Sequence, residues 1–149
     1  MTALTFILVV LVAFIAGVAS VVDERQFHRP LVACTLMGLA LGDLPTGIML
    51  GGFLELIALG WMNVGAAMAP DSALASTISA LVVIQGHQNI DTGIAIAVPL
   101  AAAGQVLTIF VRTITVFFQH QADNFAKTAN FRGIELMHLS GMALQGLRV

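Results

Sequence analysis

Two carboxylates, an amide and an indole fall close together between Gly51 and Asp71: Glu55, Trp61, Asn63 and Asp71 stand in sequence that is otherwise mostly apolar or glycine. An ionisable side chain at the centre of a bilayer-spanning helix costs about 3 kcal/mol or more, so acids in such surroundings face a cavity, a partner or a substrate path. The chemistry that fits this set is recognition of a neutral polar solute. Asp71 can accept paired hydroxyl hydrogen bonds, Asn63 can donate and accept, Gly65-Ala66-Ala67 offers bare backbone amides, and Trp61 presents a flat apolar face to a pyranose ring. Each residue also has a plainer use. Asp71 lies between Pro70 and Ser72-Ala73-Leu74, where it suits a helix N-cap. Trp61 suits an interfacial anchor or a core aromatic, and Glu55 an internal hydrogen bond. The sequence leaves these alternatives open.

A second polar stretch, Gln85 to Gly93, contains His87 and Gln88. It reads either as a plain turn or as a turn that brings those two side chains to a substrate. A single His without partners at ligand spacing makes no metal site, so no metal and no cofactor is expected. The chain has no phosphate-binding Gly-x-x-x-x-Gly-Lys, no His-Glu-x-x-His and no Gly-x-Ser-x-Gly, and catalysis by it alone is not expected. Cys34 is the one cysteine, set among apolar neighbours, so no disulfide can form within the chain. Three classes compete for the two acids: a solute-transport subunit, an ion or proton channel in which they line a pore, and a packing subunit in which they pair with another chain. The glycines, the amide and the tryptophan around them favour the neutral solute.

The elements that must position these residues belong to a membrane protein. The chain is 58% hydrophobic and 9% charged, with a mean hydropathy of +0.97, against about 25% charged residues in an ordinary soluble domain. Its net charge is -2, with Lys and Arg scattered singly, so no basic face for nucleic acid is present. At about 20 apolar residues per crossing, there is room for roughly four to six crossings or half-crossings. The expected fold is therefore an all-α, polytopic integral membrane protein with broken or re-entrant helices, organised as one membrane domain over residues 1–149.

Along the chain, Ala3 to Val22 reads as a retained first helix without charge. Asp23 to Pro30 is a charged cluster, either a hydrated loop or part of a site, with Pro30 suited to the first turn of the next helix. Asp43 to Gly47 predicts a hairpin or broken helix, and the pairs Gly38/Gly42 and Gly47/Gly51 predict close helix approach. Ile94 to Val111 predicts another crossing, Gln119 to Gly133 an amphipathic helix along the interface, and Ile134 to Val149 the start of a further helix at which the chain reads as truncated. Lys and Arg show no decisive excess on either side, so orientation stays open.

The runs Gln26-Phe27-His28-Arg29-Pro30-Leu31 (with Asp23-Glu24 before it), Leu41-Gly42-Asp43, Gly60-Trp61-Met62-Asn63-Val64-Gly65-Ala66-Ala67 and Ala69-Pro70-Asp71 closely resemble the mannose-family IIC subunit of the bacterial sugar phosphotransferase system. Gly86-His87-Gln88, Pro99-Leu100-Ala101-Ala102-Ala103-Gly104-Gln105 and Val111-Arg112-Thr113-Ile114-Thr115-Val116 extend the resemblance over essentially the whole chain. The resemblance implies a multi-pass subunit of the bacterial inner membrane, paired with a IID subunit in a higher oligomer and surrounded by lipid. It further implies cytoplasmic IIA and IIB partners that carry the phosphoryl group, and a hexose substrate, with mannose and glucose first. No phosphohistidine is implied for His28, His87, His120 or His138. Taken with the residue chemistry, the expected sugar contacts are Glu55, Trp61, Asn63, Asp71, His87 and Gln88. The family's chains continue through several more helices, so this chain reads as the N-terminal part of a IIC transport domain.

Overall fold

The uncharged run after Thr2 folds as a single helix, α1 (Ala3–Val22), whose last residue stands where the sequence changes from apolar to charged. The computed structural model describes residues 2–22, 25–65 and 67–149. Asp23, Glu24 and Ala66, three positions in the sequence reading above, lie outside the described residues. Pro30 opens α2 (Pro30–Leu41), since its fixed φ suits a first helical position and its missing N–H is not needed there. Gly42 closes that helix with φ 84°, a left-handed conformation that costs a side-chain-bearing residue about 1–2 kcal/mol. Asp43 then caps α3 (Leu44–Ala58) by accepting from the Thr46 N–H at 3.2 Å.

The two helices form a tight antiparallel hairpin, the most extensive helix pairing in the molecule. A Cβ on Gly47 would sit 2.5 Å from the Cys34 carbonyl oxygen and 2.9 Å from the Gly38 Cα, so the backbones touch where those glycines meet. The contact thus joins Gly38 to Gly47 and Gly51 to Pro30 and Leu31 across the hairpin, while Gly42 serves as a cap instead of a packing surface.

After an irregular stretch, α4 (Ser72–Gln85) and α5 (Ile90–Lys127) follow, and α6 (Phe131–Gly146) closes the fold. Among the described residues there is no sheet, only one isolated bridge between Val64 and Ala67. The interfacial helix expected over Gln119 to Gly133 is not a separate element. Residues up to Lys127 continue α5, because no Gly or Pro interrupts the chain between Gly104 and Gly133, and the break comes at Ala129 (φ 52°). Asn130 then caps α6 through the Gly133 N–H at 3.1 Å.

By length and composition, α1 and α5 can cross a membrane. The helices α2, α3 and α4 have 12, 15 and 14 residues, about 18–23 Å each, short of the roughly 30 Å hydrocarbon layer. These are the broken elements the sequence called for. Their core is built of small and branched residues, with Cys34, Met37, Leu50, Ala80, Val83, Ala97 and Ala101 buried between them. Phe6, Leu11, Val106, Phe110 and Phe117 are exposed on the outer faces of α1 and α5, as a lipid-facing surface requires.

Candidate functional site

The irregular segment from Leu59 to Pro70 is held against α5 by polar contacts that come mostly from outside it. The Asp71 N–H donates to the Ala101 carbonyl at 3.0 Å, and the Gln105 side-chain amide donates to the Met68 carbonyl at 2.7 Å. Within the segment, Asn63 Oδ1 accepts from the Ala69 N–H at 2.7 Å. Ala101, Gly104, Gln105 and Thr108 form one stripe of α5 at helical spacing, and the segment lies along it. Gly104 is needed there, because a Cβ would come within 2.7 Å of the Asp71 Cβ.

Asp71 is buried, with 7% of its surface exposed, and nearly all of its accepting capacity is engaged. Oδ1 accepts from the Leu74 N–H at 3.2 Å and so caps α4. Oδ2 accepts from the Thr108 hydroxyl and pairs with Arg148 Nη2, each at 3.2 Å. Arg148 also donates from Nη1 to Thr108 Oγ1, and from Nη2 to Ser20 Oγ at 3.0 Å. One guanidinium therefore ties together α1, the start of α4, α5 and the residues after α6. The crossing of α1 and α6 that makes this possible is close: a Cβ on Gly17 would lie 2.9 Å from the carbonyl oxygens of Gln145 and Gly146.

Glu55 lies away from this network. Its Oε1 forms an ion pair with Arg29, and its Oε2 accepts from the Leu31 N–H at 3.2 Å. Arg29, the residue at the N-cap position of α2, supplies no side-chain cap, and Glu55 provides the missing anion from across the hairpin. Both intramembrane acids are thus neutralised by an arginine, which removes the unpaired carboxylates that a cation pore would need.

Above Asp71 lies a cavity of about 320 Å³. Asp71, Trp61 and Asn63 all line it, together with Gln26, His28 and Arg29 from the charged cluster before α2, Ser20 of α1, Thr108 and Arg112 of α5, and Gln145 and Arg148. Gln26 holds a left-handed backbone there, φ 53°, at a cost of about 1 kcal/mol or more. Of the six residues expected to meet substrate, the structure gathers three in this cavity and places Glu55 behind it, on Arg29. His87 and Gln88 are not brought to it. They occupy the exposed turn between α4 and α5, at the far end of the 14-residue α4 from Asp71, about 21 Å along the helix axis. Gln88 there donates to the Gly86 carbonyl at 2.8 Å, and His87 holds the turn at φ 48°. Sequence reasoning passed over Ser20, Gln105, Thr108, Gln145 and Arg148. The polar stripe Gln105/Thr108 inside an apolar helix was the one available signal for them.

With this geometry in place, comparison with known proteins decides the family. The family model for the PTS system sorbose-specific IIC component matches residues 3–149. The chain belongs to that family. It is 66% identical over its full length to the fructose permease IIC component of Bacillus subtilis (strain 168), of which it covers 55%. It is 63% identical over 148 residues to the mannose-specific EIIC component of Escherichia coli (strain K12), covering 99% of this chain and 56% of that protein. The cryo-EM structure of the mannose transporter ManYZ with microcin E492 matches with a TM-score of 0.96 and 62% identity, covering all of this chain and 60% of that one. The chain thus spans about half the length of the IIC relatives it matches. Relatives named for fructose and mannose match this IIC chain almost equally, so the shared residues report a common framework and do not rank the sugars.

Proposed function

We propose that the chain is the membrane subunit of a sugar phosphotransferase permease, forming with a IID subunit the path by which mannose- or glucose-type hexoses enter while being phosphorylated by IIB. In this reading it is a multi-pass protein of the bacterial inner membrane, in a larger oligomer of IIC and IID pairs, and phosphoryl groups come from IIA and IIB with no catalytic residue supplied by this chain. The observation that carries the proposal is the cavity. A space of about 320 Å³ lined by Asn63, Asp71, Thr108, Gln26 and Trp61 lies inside helices whose outer faces are apolar, and it falls within the roughly 300–1,000 Å³ of small-molecule sites. Its donors and acceptors suit hydroxyl groups, and the Trp61 ring suits the apolar face of a pyranose. The IID partner is carried over from ManYZ, the transporter in the matching structure.

Trp61, Asn63 and Asp71 are the proposed sugar-facing residues, and Glu55 supports them by holding Arg29 at the cavity wall. The test is phosphoenolpyruvate-dependent formation of labelled mannose phosphate in membranes carrying IID, IIA and IIB, with this chain, a full-length relative or no IIC. Sugar phosphate above the background without IIC is expected with the full-length relative, and the same signal with this chain shows that its residues suffice. Activity with the relative alone fits a chain that spans about half of its relatives' length, whereas no sugar-dependent signal from either version overturns the mannose reading.

A further inference from the structure

Among the described residues three arginines line the cavity, and two of them are neutralised, Arg29 by Glu55 and Arg148 by Asp71. Arg112 is the third. It has no ion pair and no side-chain hydrogen bond among the described residues, and it is exposed, so a ligand in the cavity can reach it. Its charge acts on Arg148 against the attraction of Asp71. Two like charges therefore share a wall whose one acid among the described residues, Asp71, is already engaged in the ion pair and in the α4 cap. A cavity with one positive charge left over concentrates anions, and an anion bound there relieves the repulsion between the two guanidinium groups.

A neutral hexose makes no use of that charge, whereas its phosphorylated form does. A phosphate monoester brings about -1.5 to -2 charges at pH 7 and three acceptor oxygens, and a guanidinium meets it with a planar fork of N–H donors. Position agrees with this chemistry. Thr108, which donates to Asp71 Oδ2, and Arg112 are four residues apart on one face of α5, so Arg112 stands about 6 Å further along the axis, toward Asp123 and Lys127. We infer that Arg112 is the phosphate-binding residue of the cavity: its guanidinium donates to the phosphoryl oxygens of the hexose phosphate formed there, while the sugar ring stays on the Asp71 side. This rests on the reading of the cavity as a sugar site served by IIB and adds to it a place for the product. In that transfer a hexose hydroxyl oxygen bonds to phosphorus, the bond from phosphorus to its carrier atom on IIB breaks, and the hydroxyl proton passes to the freed carrier. The ligand turns from neutral to anionic where it lies, and Arg112 holds the charged form.

The experiment is calorimetric titration of a full-length IIC chain containing this sequence, in complex with IID in phosphatidylcholine nanodiscs, with mannose, mannose 6-phosphate and inorganic phosphate. The unaltered complex is compared with Arg112→Gln and Arg112→Lys. Arg112→Gln is expected to weaken mannose 6-phosphate about tenfold more than mannose, the scale of one hydrogen bond to a charged group. Arg112→Lys, which keeps the charge and loses the fork, gives a smaller difference of the same sign. Equal losses for the two sugars, or no loss, overturn the inference and leave Arg112 a structural residue. Inorganic phosphate bound by the unaltered complex as tightly as mannose 6-phosphate also overturns it, because Arg112 is then a general anion site. Loss of mannose 6-phosphate binding when phosphatidylglycerol is added to the discs overturns it in favour of a lipid headgroup. Mannose bound without mannose 6-phosphate overturns the inference alone, whereas neither sugar bound by the unaltered complex overturns the sugar-site reading itself, and this inference with it.

Discussion

The chain breaks its helices in two ways, and the contrast separates a connector from a site. Between α2 and α3 the break is self-contained: Gly42 turns the backbone, Asp43 caps the helix it opens, and the flanking glycines seal the hairpin. Between α3 and α4 the break is long, and Gln105, Ala101, Thr108 and Arg148 must satisfy its polar groups from other helices. A break that closes on itself leaves nothing for a solute. One that borrows partners from distant elements gathers polar groups from several helices around a common space, which is what binding a polar solute inside a membrane requires.

Substitutions at the two breaks should therefore differ in kind. The largest effect is expected at Asp71→Ala, which strands the Arg148 guanidinium in a buried site and removes the α4 cap. A loss of about 3–5 kcal/mol, the scale of a broken buried ion pair, should appear in chemical unfolding of the protein in micelles, with Asp71→Asn less severe. Gly47→Ala comes next. Its new Cβ meets backbone, not a yielding side chain, so about 1–3 kcal/mol should be lost while the folded fraction keeps its hexose affinity. The smallest and most telling comparison sets Asp43→Ala against Gln105→Ala. Each removes one side-chain hydrogen bond, worth about 1 kcal/mol, the first within its own turn and the second between separate elements. Asp43→Ala should leave hexose affinity unchanged, whereas Gln105→Ala, by freeing Met68 from α5, should weaken it about fivefold. Equal effects on affinity would erase the distinction between the two breaks.

What could be read from the sequence was local. The limits of α1, the start at Pro30, the hairpin at Asp43 and the suitability of Asp71 as a cap all follow from neighbouring residues, and all are present. The site was legible in part, since Trp61, Asn63 and Asp71 are carried by the interrupted segment itself. Its other half was hidden because it depends on contacts such as Arg148 to Ser20, across 128 residues, which no spacing rule reaches. The same holds for Glu55, whose value as a cap for α2 is visible only when the hairpin brings it to Leu31. Gln88 misled for the opposite reason: a dense run of polar side chains also describes a solvated turn, and the fold places it away from every group it was expected to join. The amphipathic pattern from Gln119 to Gly133 suggested a new element, yet the absence of a helix breaker outweighed it and α5 ran on.

That uninterrupted run gives the molecule a sense of depth. With 38 residues, α5 is about 57 Å long, nearly twice the roughly 30 Å of the acyl-chain layer. Even a steep tilt cannot hide it, so one end has to emerge among headgroups and water, and the charged residues Asp123 and Lys127 mark that end. Arg112 is the first charged residue of α5 after Asp91, and with Thr108 it lines the cavity. The cavity therefore meets α5 where its charge-free run ends, on the side that leads to Asp123 and Lys127.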